Sequence, residues 1–373
     1  MKGTNTLLSL TSLFFERIYL FMNLPITVTQ DDLMEILINV APVRPVFIWG
    51  APGIGKSALV EQFAADMGLP CVSLLGSQLA PEDIIGIPTI KGETSEFLPP
   101  KMIARKEPYV LFLDELNACS QEVQKAFYSL IHERRIGEYH LPEGSIVVGA
   151  GNRAQDSAIV KKMSSALINR MFHVQMKADP RQWIKWAQNN GIHNWVIDYI
   201  IQRPDHLFSE PPKTEEPFST PRSWHMLSDA LTEYGAGEKE ISKEVLSMLA
   251  YACLSPSHAG MFLAYTKSLK NNHMLEDIIA ENAKWPAKPE ERDILYFLAQ
   301  SFRAKLITEL PKSKQDISGN MLSFIYRAKG MIKELSNINF EIAQMVVASD
   351  EDNSLPEWFM IEVIRDLPRL VNN

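Results

Sequence analysis

Short apolar runs alternate with amphipathic helical patterns between residues 30 and 176, whereas only helical patterns follow. Several of these runs are almost entirely apolar, as expected for strands that are buried on both faces of a parallel sheet. Alternation of such strands with helices is typical of an α/β fold. We therefore predict a parallel five-stranded sheet covered by helices, with the strands Val46–Trp49, Cys71–Leu75, Tyr109–Leu113, Ser145–Ala150 and Phe172–Met176.

Local start and stop signals divide the chain further. Between the third and fourth strands, Ser120–Arg134 has an N-capping serine followed by an amphipathic pattern, which predicts a helix. Asp179-Pro180 begins the first helix after the sheet and Gly191 ends it. The proline-rich stretch Pro204–Pro217 is typical of a linker. We expect an N-terminal extension over 1–29, an α/β core over 30–203, a linker over 204–217, an all-α lid over 218–310 and C-terminal helices over 311–373.

The composition is that of an ordinary globular protein, and it restricts the class of partner. The 37 basic and 45 acidic residues give a net charge of −8, so no overall basic field draws the chain to nucleic acid or to an anionic membrane. Cys71, Cys119 and Cys253 are odd in number and far apart, which favours free thiols in a reducing compartment over a disulfide framework or a zinc site. The sequence contains no apolar segment long enough to cross a bilayer. We therefore expect a cytoplasmic protein.

The first residues have two interpretations. The apolar run Leu7–Phe15 resembles part of a secretory signal, but Glu16 and Arg17 interrupt it and no small-residue cleavage site follows. We favour a native start at Met22, which would make residues 1–21 an over-extended reading of the gene. The alternative is a short amphipathic helix that binds a partner.

The stretch Gly50-Ala-Pro-Gly-Ile-Gly-Lys-Ser57 has the pattern G-x-x-x-x-G-K-[ST] of a phosphate-binding P-loop. It follows an apolar strand and precedes a helical pattern, which is the context that the motif requires. Backbone N–H groups of such a loop bind phosphate oxygens, its lysine reaches the β- and γ-phosphates, and its serine holds Mg²⁺. We predict a nucleoside triphosphate site, with ATP as the ligand, formed by Gly50, Ala51, Pro52, Gly53, Ile54, Gly55, Lys56, Ser57 and Ala58.

A second motif follows 58 residues beyond Lys56, where the apolar strand at Tyr109 ends in Asp114-Glu115. An acidic pair that caps a strand is common by itself, but after a P-loop it has the Walker B pattern. Asp114 would bind Mg²⁺ together with Ser57. Glu115 would orient and deprotonate the attacking water, which makes the site hydrolytic.

Three further polar residues have positions that suit phosphate chemistry. Asn152 follows the fourth strand at the sheet edge where ligands bind, and its amide can contact the γ-phosphate and the attacking water. Arg170 precedes the fifth strand and can neutralise transition-state charge, in cis or from a neighbouring subunit. Arg222 lies in the first turn of a helix capped by Thr220, where a cation opposes the helix dipole, which favours contact with a bound phosphate. The plainer explanations are that Asn152 is a turn residue, that Arg170 is a cation at a helix C-terminus and that Arg222 is a solvated surface arginine.

These motifs in this order resemble an AAA+ ATPase, and three details resemble the MoxR family. The details are Gly50-Ala-Pro-Gly53, Asp114-Glu-Leu-Asn117 and Leu167-Ile-Asn-Arg-Met-Phe172. In addition, Glu133–Pro142 resembles the short hairpin that these proteins insert before the fourth strand, and Gln78–Pro100 resembles their insert that faces the ring pore.

The resemblance implies a ring, typically a hexamer, with ATP and Mg²⁺ bound between subunits. Arg170 would then act on the neighbour's nucleotide, and Arg222 would reach the nucleotide from the lid. Arg153 stands where the family often has proline, and it is a rival for the trans-acting arginine. Family members commonly remodel or activate other proteins in a chaperone-like way, often with a von Willebrand factor A-domain partner.

Two other functions would use the same core. A nucleic-acid-dependent motor of the helicase or restriction type shares the motifs, but the acidic balance and the lack of a recognisable DNA-binding module disfavour it. Lys161, Lys162 and Arg170 are too few to form a nucleic-acid track. A scaffold that binds ATP without turnover is disfavoured by the presence of Glu115.

Overall fold

The computed structural model describes residues 26–153, 163–236, 241–348 and 354–366. Our predictions for residues 1–21, Met22, Lys161 and Lys162 lie outside these ranges. The chain divides into two compact units, Met1–Asp179 and Pro180–Asn373.

The first unit contains a parallel sheet and the helices that cover it. Its strands are β1 (Ile26–Val28), β2 (Val46–Trp49), β3 (Cys71–Leu75), β4 (Ile87–Lys91), β5 (Thr94–Leu98), β6 (Val110–Asp114), β7 (Arg135–Ile136), β8 (Tyr139–His140), β9 (Ile146–Gly151) and β10 (Phe172–Met176). Its helices are α1 (Gln30–Val40), α2 (Lys56–Asp66), α3 (Glu82–Ile85), α4 (Gln121–His132) and α5 (Ser165–Ile168). The sheet has the order β1-β10-β2-β9-β6-β3, and every neighbouring pair is parallel.

The predicted α/β fold with its parallel sheet is confirmed, and all five predicted strands are present within one residue of the predicted bounds. A sixth strand, β1, lies in the segment that we expected to be an N-terminal extension. It pairs with β10 through Ile26 and Val174. Three residues are too few to show an alternating pattern, and Ile26 is 71% exposed at the sheet edge, so the sequence carries little signal for this strand.

The sheet is buried on both faces. Val110, Leu111 and Phe112 of β6 are each 0% exposed, which accounts for the unbroken apolar runs in the sequence. On one face, α4 packs Phe127 into the same cluster as Leu111. The predicted N-cap of α4 is confirmed, because the Ser120 hydroxyl accepts a hydrogen bond from the backbone N–H of Val123 at 3.3 Å.

Two antiparallel hairpins project from the segments that we predicted to be inserts. One consists of β4 and β5, paired from Ile87–Leu98 to Lys91–Thr94, and the other of β7 and β8. The first hairpin exposes apolar side chains, and Ile90 near its tip is 84% exposed. Both inserts therefore exist as hairpins, while their orientation toward a pore stays a prediction.

The second unit is helical throughout its described residues. Its helices are α6 (Pro180–Asn189), α7 (Asn194–Gln202), α8 (Pro221–Tyr234), α9 (Lys243–Cys253), α10 (Pro256–Lys270), α11 (Leu275–Ile279), α12 (Arg292–Glu309), α13 (Gly319–Ile338), α14 (Phe340–Val347) and α15 (Glu357–Asp366). Within the described ranges, no helix combines the length and apolar character needed to span a membrane.

The division between the units at Asp179 differs from the predicted core boundary at residue 203. The reason is the packing of α7. Its Tyr199 is fully buried in an aromatic cluster of the helical unit, with ring centroids 5.2 Å from Trp224 and 5.4 Å from Phe262. The amphipathic pattern of α7 predicts a buried face but does not say which unit buries it.

Candidate nucleotide-binding site

The P-loop connects β2 to α2 and contains two glycines with positive φ. Gly53 and Gly55 have φ values of 77° and 98°, in the left-handed region that favours glycine. Gly55 is the N-cap residue of α2, which begins at Lys56. The first N–H groups of the helix have no partners within it, so they are available to an anion that enters the loop.

The side chain of Lys56 lies across the loop and is only 8% exposed. Its Nζ donates hydrogen bonds to the backbone oxygens of Gly50 and Ala51 at 2.8 and 2.9 Å, and to Oδ1 of Asn152 at 3.0 Å. An ammonium group carries three N–H donors and a single positive charge. A triphosphate in the loop would compete for those donors. Lys56 and Asn152, which belong to motifs that are distant in sequence, are thus in direct contact.

Ser57 and Asp114 supply adjacent oxygen atoms. The Ser57 hydroxyl donates to Oδ2 of Asp114 at 2.7 Å, which joins the start of α2 to the end of β6. Mg²⁺ prefers hydroxyl, carboxylate, phosphate and water oxygens as ligands. The pair fits the predicted metal site, with Asp114 providing the negative charge.

Glu115 is held in a constrained conformation directly after Asp114. Its φ is 51°, which is uncommon for a residue with a Cβ and is typical of functional sites. Its backbone N–H donates to Oδ1 of Asp114 at 2.9 Å, and its Oε2 accepts a hydrogen bond from the Ser77 hydroxyl at 2.6 Å. The carboxylate is thus fixed at the end of β6 by a partner that follows β3, the neighbouring strand.

The backbone of Asn152 is fixed by a second asparagine. Nδ2 of Asn117 donates to the carbonyl oxygen of Asn152 at 2.7 Å, and Asn117 is only 1% exposed. The fit is tight, because a Cβ on Gly151 would lie 2.3 Å from Oδ1 of Asn117. Asn117 belongs to the motif Asp114-Glu-Leu-Asn117, and no role was predicted for it from the sequence. The available signal was its position two residues beyond the acidic pair.

The three predicted arginines have different surroundings. Nη1 of Arg170 donates to the carbonyl oxygen of Ala166 at 2.8 Å, and its guanidinium lies 4.5 Å from the ring centroid of Tyr128. Arg153 follows Asn152 directly and is half-buried. Arg222 is exposed in the first turn of α8, in the second unit. The predicted start of α8 is confirmed, with Thr220 as its N-cap.

Comparison with known proteins agrees with this geometry. Residues 45–171 match the family model of the AAA domain, dynein-related subfamily. Midasin from Giardia intestinalis is 30% identical over an alignment of 170 residues, and the match covers 42% of this chain and 4% of that protein. The chain therefore spans about 4% of the length of this curated relative.

Two solved structures share similarity over most of the chain. A point mutant of RuvB from Thermotoga maritima is 17% identical with a TM-score of 0.39, covering 91% of this chain and 95% of that chain. NtrX from Brucella abortus is 14% identical with a TM-score of 0.38, covering 78% of this chain and 72% of that chain.

The first unit has the AAA+ P-loop fold, and residues 45–171 of that unit match the AAA domain model. The matched range contains the P-loop, Asp114, Glu115, Asn152 and Arg170.

Proposed function

We propose that this protein is a cytoplasmic, ATP-hydrolysing AAA+ motor of the MoxR type that forms a ring and remodels or activates partner proteins. The observation that carries the proposal is that two hydrogen bonds bring side chains from separate motifs together at one sheet edge. They join Lys56 to Asn152 and Ser57 to Asp114. These side chains come from three different strand ends, and the hydrolytic reaction needs all of them in one place.

Each residue has a role that follows from its chemistry. Lys56 would bind the β- and γ-phosphates, while Ser57 and Asp114 would hold Mg²⁺, which neutralises phosphate charge when bound. Glu115 would take the proton from the attacking water. For that step its Oε2 must give up or share the hydrogen bond from Ser77. Asn152 would orient the water against the γ-phosphate.

The ring and the partners rest on the resemblance to the MoxR family. In a ring, typically a hexamer, Arg170 would complete the neighbour's site and Arg222 would close the site from the lid, with Arg153 as the alternative to Arg170. The exposed apolar hairpin β4–β5 supports contact with a protein substrate, because apolar groups exposed on one projecting element are suited to binding polypeptide. A von Willebrand factor A-domain protein is the partner that the resemblance suggests.

Substitution of Glu115 separates binding from hydrolysis. The variant Glu115→Gln keeps the size of the side chain and one oxygen that can accept a hydrogen bond, but it cannot accept the proton, so we expect retained ATP binding and turnover reduced by about 100-fold or more. Binding is measured by titration with a fluorescent ATP analogue, and turnover by phosphate release. Turnover at the parental rate would show that Glu115 is not the base.

Mixing of two inactive variants tests the ring. Lys56→Ala subunits cannot bind ATP but keep Arg170, whereas Arg170→Ala subunits keep the P-loop. If the arginine acts in trans, mixtures regain part of the parental turnover at the interfaces where an intact P-loop meets an intact arginine. Lack of recovery at every mixing ratio would exclude the trans role.

Stimulation of turnover by single- or double-stranded DNA would instead favour a nucleic-acid motor.

A further inference from the structure

One imidazole connects the strand that leads into the P-loop with the turn that carries Arg170. Nε1 of Trp49 donates a hydrogen bond to Nδ1 of His173 at 2.9 Å, and Nε2 of His173 lies 2.8 Å from the carbonyl oxygen of Ile168. The rings of Trp49 and His173 are stacked, with centroids 6.0 Å apart and an interplanar angle of 24°. Trp49 is the last residue of β2, and Ile168 is the last residue of α5.

The two hydrogen-bond partners determine which nitrogen of the His173 ring accepts and which one donates. An indole N–H can only donate, so Nδ1 of His173 must be the acceptor. A carbonyl oxygen can only accept, so Nε2 must carry the proton. These two contacts together require the tautomer of His173 that carries its proton on Nε2. Few side chains can accept on one side and donate on the other, and glutamine is the natural substitute.

On the Trp49 side, the link leads directly to the phosphate-binding loop. Gly50 follows Trp49, its N–H donates to the carbonyl oxygen of Gly151 at 3.2 Å, and its own carbonyl oxygen accepts the hydrogen bond from Lys56. A displacement of the end of β2 would therefore change the hydrogen bonds to the P-loop and to β9 at the same time.

On the Ile168 side, the link leads to the arginine. Ile168 is two residues before Arg170, and Arg170 bonds back to the carbonyl oxygen of Ala166 in the same short helix. A helix of only four residues has little stability of its own, so its position depends on external contacts. The hydrogen bond from His173 is such a contact, and it attaches the end of α5 to the central part of the sheet.

We propose that His173 is a positioning residue that holds the Arg170 turn at a fixed place relative to the P-loop strand. It acts through Arg170 on the nucleotide of the neighbouring subunit. The inference rests on the proposed function, in which Arg170 works in trans. It adds a physical connection, within one subunit, between the site that binds ATP and the arginine that serves the next site.

The first test compares two substitutions of His173. His173→Phe keeps a ring of similar size but removes both hydrogen bonds, whereas His173→Gln can accept from Trp49 and donate to Ile168. We expect His173→Phe to bind ATP like the parent protein and to lose about tenfold in kcat, since small misplacements of a catalytic group cost this much or more. His173→Gln should recover most of the loss. His140→Phe, at an exposed histidine of the same unit, is the matched control and should behave like the parent.

The second test assigns the effect to one side of the interface. In mixtures of Lys56→Ala and Arg170→Ala subunits, only the Lys56→Ala subunit supplies the arginine. Adding His173→Phe to that subunit should abolish most of the recovered turnover. Adding it to the Arg170→Ala subunit, which supplies only the P-loop, should leave the recovery largely intact.

The outcomes separate the two proposals. Recovery in the parental mixture shows that the trans mechanism holds; parental kcat in His173→Phe, or equal loss on both sides of the interface, would then overturn the role of His173 alone. Absence of recovery in the parental mixture would overturn the trans mechanism and the inference with it. If His173→Phe does not fold, Trp49→Phe is used in its place, because it removes the hydrogen bond between Trp49 and His173. It should reduce the recovered turnover when it is placed in the subunit that supplies the arginine. Full recovery with Trp49→Phe on the arginine side would overturn the proposal.

Discussion

Two neutral histidines pack together in the helical unit, where His206 is buried and His258 is half-buried, and this makes the stability of that unit sensitive to acid. The rings of His206 and His258 are stacked, with centroids 3.9 Å apart. Nε2 of His206 accepts a hydrogen bond from Arg203, so its Nδ1 carries the proton and donates to the Tyr199 hydroxyl oxygen at 2.6 Å. Asp205 neutralises Arg203 through two hydrogen bonds of 3.0 and 2.7 Å.

A proton added to either ring would place a positive charge at a buried or half-buried position. Burial, with a further contribution from the Arg203 guanidinium, lowers the pKa of His206 to about 2, and burial lowers the pKa of His258 to about 4. In the unfolded chain both side chains would titrate near their ordinary value of 6.5. The unfolded state therefore binds protons in a range where the folded state does not.

The sign and size of the effect follow from this difference. The free energy of unfolding has its full value above about pH 7. It decreases as the pH falls below the pKa that the two histidines have in the unfolded chain. At pH 5 each histidine would cost up to about 2 kcal/mol of the free energy of unfolding, and both together about 4 kcal/mol. For a unit of this size, that corresponds to a decrease in Tm of about 10 °C.

Urea denaturation of the full chain at pH 7.5 and pH 5, followed by circular dichroism of the helices, measures this loss. His258→Phe keeps the stacked ring but cannot take up a proton, so about half of the acid-induced loss should disappear. His140→Gln, at an exposed position, serves as the control and should retain the full loss. Equal stability of the parent at both pH values, or an unchanged loss in His258→Phe, would refute the reasoning.

Two further predictions concern the nucleotide site. Gly151→Ala would place a Cβ 2.3 Å from Oδ1 of Asn117, so we expect a loss of about 1–3 kcal/mol in the free energy of unfolding, measured by urea denaturation. Gly319→Ala is the control, because the added Cβ has no atom within 4 Å apart from its chain neighbours and the backbone of its own helix; a loss of the same size there would contradict the steric explanation. Asp114→Asn should weaken ATP binding about tenfold in Mg²⁺ but not in EDTA, because the carboxylate acts through the metal. Equal weakening in both titrations would show that Asp114 acts without the metal.

The residues that sequence reasoning found are those that lie at strand ends in the order of a known pattern. Lys56, Ser57 and Asp114 could be predicted because parallel strands present their carboxyl ends at one edge, so motifs that are distant in sequence meet there. The structure adds only the distances between their atoms. The strands could also be predicted from the sequence. They are buried on both faces of the sheet, so nearly all of their residues are apolar.

The residues that sequence reasoning missed act through contacts between elements. Ser77 bonds to Glu115 because β3 and β6 are neighbours, and His173 bonds to Trp49 because β10 and β2 are neighbours. The strand order makes these pairs adjacent, and the sequence around each of the four residues does not indicate that order. Similarly, the unit that buries Tyr199 depends on tertiary packing, which is why the predicted core boundary differs from the observed division.

The central claim is that the P-loop site binds and hydrolyses ATP, and steady-state phosphate release by the purified full chain in Mg²⁺ tests it most directly. The parent protein should release phosphate from ATP, and Lys56→Ala should reduce that release to background, because the only ammonium in contact with both the P-loop and Asn152 among the described residues is lost. Circular dichroism of both proteins should be the same. Absence of phosphate release by the parent, or equal rates in the parent and a folded Lys56→Ala variant, would contradict the claim.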